Sequence, residues 1–232
     1  QMCIRDSCNP IQYAEHRKTL ENVICTAGKF GATHVSTFAG AWEGKPVESA
    51  YEEFGKVFRE LADLAEEKGV KLGIENCLMD GTWEHATCNI GFNPKAWEVM
   101  FEEVKNDNFG LEWEPTHQMV QLIDPVTELR KWCKKIVHIH GKDATIDWDA
   151  VRHSGISGAV PFVWHRMPGF GDTNWRDIIS ILRSNGYEDD ICIEGYHDPV
   201  YSGELEMTGQ LHALNYLKWC RGGDFTPTPW EK

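Results

Sequence analysis

The feature that most constrains this chain is a recurrence: short β-prone runs, separated by helical patterns, end on a carboxylate or an imidazole. The run at 70–75 ends on Glu75, that at 109–114 on Glu114, that at 136–140 on His140 and that at 191–194 on Glu194. Strands that alternate with helices are joined by crossovers and lie parallel, in an open sheet or a closed barrel. Parallel strands share an end, so the polar residues gather at one rim. In a (β/α)8 barrel that rim is the mouth where catalytic groups sit. Carboxylates converging there repel one another unless a divalent cation neutralises them. Oxygen-rich ligation with one histidine suits Mn2+, with Mg2+, Co2+ or Zn2+ as alternatives.

The intervening segments carry their own punctuation. Asn9-Pro10 predicts a helix start whose pattern runs to about Gly28, and the β-branched run at 33–38 predicts a strand. Ser49 with Glu52 forms a capping box for a helix that Gly69 closes. Asn93-Pro94 and Asp124-Pro125 start further helices, Asn174 caps one closed by Gly186, and 207–220 reads as a terminal helix. A weaker strand signal lies at 162–164, in a long loop. No repeat or low-complexity linker divides the chain, so residues 1–232 read as one domain with 1–7 as a non-native leader.

Composition narrows the function classes. The net charge of −13 argues against nucleic acid as a partner, since phosphodiester binding needs a basic face. No apolar run approaches the roughly 20 residues of a membrane span, and no signal-peptide pattern opens the chain. The eight cysteines show no CxxC and read as reduced, mostly buried thiols of a cytoplasmic protein. No GxxxxGK[ST] loop and no GxGxxG after a strand is present, so no nucleotide site is expected.

Five segments, in order, resemble the xylose isomerase-like TIM-barrel superfamily in its sugar phosphate isomerase/epimerase branch. They are Gly73-Ile74-Glu75-Asn76, Glu114-Pro115-Thr116-His117, the stretch from Val137 to Asp143, Pro168-Gly169-Phe170-Gly171-Asp172 with Trp175, and Ile193-Glu194. The resemblance implies a divalent metal held by the carboxylates ending strands four, five and eight and the histidine ending strand six: Glu75, Glu114, Glu194 and His140. It implies that Glu75 and Glu194 also exchange the substrate proton, and that His117 contacts a small-molecule sugar. The family usually has Asp-Pro-Ser-His where this chain has Glu-Pro-Thr-His, which adds a methylene to one metal ligand. Counting back from Glu75 leaves no room for strands one and two, so the expected fold is an α/β (β/α)8 barrel that is incomplete at its N-terminus. Such a barrel exposes unpaired edges, which favours aggregation or inactivity of the fragment. Relatives of this kind are often homo-oligomers.

Other residues join the candidate site. Strand alternation puts Glu112 on the face of Glu114, and His138 on that of His140, one layer deeper, where Glu112 needs a polar or metal-linked partner. Asn76, Arg166 and His165 are candidates for substrate contact, and Lys142 and Asp143 for orienting His140. Trp42, Trp83 and Trp113 could offer apolar faces to a sugar ring, whereas Trp97, Trp132 and Trp219 fit the core. The function expected is sugar isomerisation or epimerisation through an enediolate. The alternatives are a lyase or dehydratase of the same superfamily, acting on a 3-keto-glycoside or an inosose, or an inactive fragment. The superfamily's apurinic endonuclease branch is disfavoured by the acidic charge.

Overall fold

Alternating β-prone runs and capped helices produce, in the computed structural model of residues 8–224 and 226–228, a βα succession. In chain order the elements are α1 (Ala14–Ala27), β1 (His34–Thr37), α2 (Tyr51–Glu67), β2 (Lys71–Glu75), α3 (Pro94–Glu103), β3 (Phe109–Trp113), α4 (Pro115–Met119) and α5 (Pro125–Trp132). They continue with β4 (Ile136–Gly141), β5 (Asp143–Ile146), α6 (Trp148–Ser154), β6 (Val163–Arg166), α7 (Trp175–Ser184), β7 (Ile191–Ile193) and α8 (Glu206–Cys220). The leader expected at 1–7 lies outside the described residues.

Five of these strands form one parallel sheet in the order β1-β2-β3-β4-β7, as adjacent strands of an incomplete (β/α)8 barrel. One correction concerns strand count. The strands bearing His140 and Glu194 are hydrogen-bonded neighbours, Ile139 opposite Ile191 and Gly141 opposite Ile193, with no strand between them. The weak signal at 162–164 becomes β6, which pairs antiparallel with β5 in a separate two-stranded ribbon. Asp143, at the start of β5, accepts from the backbone N–H groups of Gly169 and Thr173, which ties this ribbon to the loop before α7.

Register brings the polar residues level. Leu111 lies opposite Ile136, but Glu112 lies opposite His138, so β4 carries one extra residue at Val137. Gly110 permits the close approach, because a Cβ there would fall 2.3 Å from the Lys135 carbonyl oxygen. With Trp113 opposite Ile139, the carboxylate of Glu114 then arrives beside the imidazole of His140.

Several helix starts follow the capping signals: Asn93 accepts from the Lys95 N–H, Asp124 from Val126 and Asn174 from Asp177. Others depart. Asn9 does not cap a helix; it is fully buried, accepting from the backbone of Ala41 and donating to its carbonyl, and the helix begins five residues later at Ala14. Its Oδ1 also accepts from the Gln12 N–H, so the amide is shared between a local turn and a long-range clamp on the turn around Gly40. Ser49 lies in a 3-10 turn, its hydroxyl donating to the Pro46 carbonyl, so the capping box does not form and α2 opens at Tyr51.

The core lies between sheet and helices, with Phe54 stacked on Phe58 and both against Phe109, and with Trp97 and Trp175 fully buried. Trp113 is also fully buried, its indole donating to Gln118, and Trp219 is exposed; both reverse the sequence expectation. Cys133 alone among the described cysteines is buried, where mostly buried thiols were expected. No helix among the described residues is long and apolar enough to cross a membrane.

Asn89 ties the loop after β2 to the sheet. Its buried amide accepts from Ala39 and Gly91 N–H and donates to the Glu75 and Cys77 carbonyls. Asn89→Ala leaves these groups unpartnered and is expected to cost about 3 kcal/mol in urea unfolding. A loss below about 1 kcal/mol would contradict that role.

Candidate metal centre

Every strand-end residue of interest leaves the sheet at the same rim. Glu75 closes β2, Glu114 follows β3 at the start of α4, His140 is the fifth residue of β4, and Glu194 follows β7. Pro115 at the first helical position fixes α4 directly after Glu114, which carries His117 back over the site. The structure brings Glu75, Glu114, His140 and Glu194 together, with one donor atom from each within 4.8 Å of all the others.

His140 is the hub. Its Nδ1 lies 3.5 Å from Glu75 Oε1, 3.4 Å from Glu114 Oε2 and 3.1 Å from Glu194 Oε2. Its Nε2 lies 3.1 Å from Glu112 Oε1 on the other side of the ring. Neither ring nitrogen of His140 is lined up with these oxygens as a hydrogen bond, and neither buried oxygen of Glu114 accepts one. Unpartnered acceptors and an imidazole nitrogen facing one small space are what a cation's donor set looks like before the ion is counted. The residues therefore fit a divalent metal.

The remaining contacts fix these donors. Asn76 is fully buried, donates to the Glu114 carbonyl at 2.9 Å and accepts from the Glu114 N–H at 2.7 Å. The structure gives it the task of positioning Glu114 in place of the sugar-hydroxyl contact expected for it. Lys142 is buried, with Nζ 3.0 Å from Glu194 Oε1 and 3.6 Å from Glu114 Oε1. His117 Nε2 lies 3.2 Å from Glu114 Oε1 and 3.9 Å from Glu75 Oε1. His165, on β6, faces His117 edge-on at 6.3 Å between ring centroids and has a buried, unpartnered Nδ1. Arg166 is held elsewhere: its Nε donates to Asp198 and its guanidinium lies over Phe170.

Electrostatics follow from burial and this crowding. Burial pushes Glu114 up to about 7, against the pull of Lys142 and His140. Burial also raises Glu75, reinforced by the charges of Glu112 and Glu194. For Glu194 burial is outweighed by His140 and Lys142, which hold it well below the ordinary carboxylate range. For His140 burial is outweighed by its carboxylate neighbours, and its pKa is raised. Burial drives His117 well below the usual imidazole value and His165 down to about 4.

Two participants were not singled out from the sequence. Asn89 carries no local motif and acts through contacts distant in the chain. Cys77 stands close enough to Glu75 and His117 to form a second donor group with them, and its place two residues after Glu75 on an extended segment was the available signal.

Comparison with known proteins places this geometry. A sequence profile described as xylose isomerase-like TIM barrel matches residues 6–218. The inosose dehydratase of Clostridium tetani (strain Massachusetts / E88) is 26% identical over 182 residues, covering 76% of this chain and 57% of that protein. The chain thus spans little more than half the length of the curated relatives it matches. D-psicose 3-epimerase, solved in the presence of D-fructose, superposes with a TM-score of 0.67 at 16% identity, over 94% of this chain and 76% of that one. IOLI protein with a bound zinc atom superposes with a TM-score of 0.62 at 22% identity, over 89% of this chain and 68% of that one. At these identities the structural matches show a shared fold.

With Glu114 raised to about 7, a cation entering the cluster displaces a proton below that pH. The free carboxylate is the binding form, so affinity rises with pH. Mn2+ titrated calorimetrically is expected to bind about tenfold more tightly at pH 8 than at pH 6, with proton release seen as a buffer-dependent heat. Affinity that is flat across this range would contradict the assignment.

Proposed function

The chain belongs to the xylose isomerase-like TIM barrel family, and from that premise we propose a divalent-metal-dependent enzyme that moves a proton beside the carbonyl of an unphosphorylated sugar or cyclitol. Isomerisation and epimerisation are the reactions this describes. The observation that carries the reading is the cluster of Glu75, Glu114, His140 and Glu194 at one rim, with its buried donor atoms unpartnered.

Those residues would hold the cation. Mn2+ fits the balance of three oxygen donors to one nitrogen, with Mg2+, Co2+ or Zn2+ as competing occupants, and the zinc in the IOLI structure supports the last. Bound there, the ion supplies Lewis-acid polarisation of the substrate carbonyl. Glu75 and Glu194 approach the space from different strands, so one carboxylate abstracts the carbon-bound proton and the other returns it. Return to the opposite face inverts the centre; return to the adjacent carbon moves the carbonyl. Lys142 keeps Glu194 ionised at neutral pH, and His117, neutral through burial, is placed to hydrogen-bond a substrate hydroxyl.

Charge supports an unphosphorylated substrate. Glu75, Glu112, Glu114 and Glu194 face one ammonium, Lys142, and a divalent ion would still leave the pocket net negative. Arg166 is already paired with Asp198, and His165 is neutral at pH 7. A phosphate dianion is repelled by such a site.

Dehydration is the second reading. It is favoured by the inosose dehydratase relative, and His165, neutral and with an unpartnered Nδ1 near His117, is placed to hydrogen-bond a departing hydroxyl. Both reactions begin with the same proton abstraction and differ in what leaves.

Proton NMR in D2O with Mn2+ and D-psicose, D-fructose or an inosose tests the reading. Loss of one carbon-bound proton signal is expected, and Glu194→Gln should slow it by about 100-fold or more without shifting the unfolding midpoint. A new unsaturated product with release of water assigns dehydration. Unchanged exchange in Glu194→Gln overturns the role of that carboxylate.

A further inference from the structure

The metal reading leaves one buried carboxylate unassigned. Glu112 is 2% exposed and points from the middle of the sheet toward the underside of His140. Its Oε1 lies 3.1 Å from His140 Nε2, while His140 Nδ1 faces Glu75, Glu114 and Glu194 on the other side of the ring. The angle at this contact falls outside hydrogen-bond alignment, but the oxygen is the acceptor nearest to Nε2, and a carboxylate can only accept, so the 3.1 Å approach favours a proton on Nε2. An imidazole with its proton on Nε2 offers a lone pair at Nδ1, toward the three rim carboxylates. On the basis of the metal reading above, we propose that Glu112 is a positioning residue that fixes the tautomer and orientation of His140, so that Nδ1 is the metal-ligating atom.

Two further observations support this assignment over a ligand role for Glu112 itself. Glu112, His34 and His138 also form a compact donor group. The His34 and His138 rings, however, stack with centroids 4.0 Å apart and planes only 24° from parallel. Near-parallel rings aim their lone pairs side by side, which does not suit a shared ion at about 2.1 Å from each nitrogen. His138 Nε2 is also farther from Glu112, at 4.0 Å, than His140 Nε2 is. The extra residue in β4 explains how the contact arises: it sets Glu112 level with His138, from where its side chain reaches His140.

A carboxylate behind a ligating histidine raises ligand basicity and holds the ring, and its loss typically weakens metal binding 10–100-fold. Calorimetric titration of the full chain with Mn2+ alone is therefore expected to show one ion per chain. Glu112→Leu should bind about 10–100-fold more weakly, and Glu112→Gln, whose amide oxygen still accepts from Nε2, should recover most of that loss. Metal-free melting of each variant separates folding from binding. Should Glu112→Leu fail to fold, the unmodified chain still decides the matter. Two-bond 15N–1H spectra of histidine-labelled, Zn2+-loaded protein should show the His140 proton on Nε2 and the metal on Nδ1. A proton on Nδ1, or equal Mn2+ affinity in a folded Glu112→Leu, overturns this proposal alone. Two ions per chain, one lost with Glu112, overturns it by making Glu112 a ligand. A parent that binds no Mn2+ overturns both this proposal and the metal reading beneath it.

Discussion

Mutual repulsion among buried carboxylates is the constraint around which this structure is arranged. Glu75, Glu112 and Glu114 are buried and Glu194 is partly so, and all of them approach one imidazole. Removing such charges from water costs several kcal/mol each unless they are paired and hydrogen-bonded. The protein supplies only part of the compensation, through His140 and Lys142, and leaves Glu114 with a pKa of about 7. That shortfall is what the proposed cation would make good.

The scaffold holds the donors against this repulsion by backbone clamps. Asn76 bonds both ends of its amide to the backbone of Glu114, and Asn89 bonds to the Glu75 carbonyl on the neighbouring strand. Neither side chain touches the space where an ion would sit through a bond of its own. Their work is to stop two strand ends from splaying apart, which the sheet alone does not do once its ladder ends. The same logic accounts for Asp143. Its carboxylate gathers the N–H groups of Ala144, Gly169 and Thr173, and so fastens the ribbon carrying His165 beside the mouth.

Much of this was legible in the sequence, and the part that was not has identifiable physical causes. The strands ending at Glu75, Glu114 and His140 announce themselves because a short β-prone run, buried almost throughout, closed by a terminal polar residue is a local signal. The caps at Asn93, Asp124 and Asn174 are local too, and they form as read. Most of the failures came where a distant partner drew a residue away, and one where a neighbouring turn did. Asn9 is drawn into the turn at Gly40, thirty-odd positions away. Ser49 yields to a 3-10 turn set by Pro46. The weak strand at 162–164 follows its ribbon partner rather than the main sheet, and β4 therefore pairs directly with β7. Trp113 has the mouth-facing position in the sequence, but it sits on the opposite face of β3 from Glu112 and Glu114 and packs inward.

The glutamate that replaces the family's aspartate at position 114 is the departure most in need of a physical account, and the sheet provides one. The extra residue at Val137 shifts β4 against β3, changing where His140 meets the end of its neighbour. A longer side chain at 114 still reaches both Nδ1 of His140, at 3.4 Å, and Nε2 of His117, at 3.2 Å. Its carboxylate therefore lies between the imidazoles of His140 and His117. The added methylene does not displace the ligand from the cluster, since its oxygen stays within 4.8 Å of the donor atoms of Glu75, His140 and Glu194. The glutamate at 114 therefore keeps its place in the donor set.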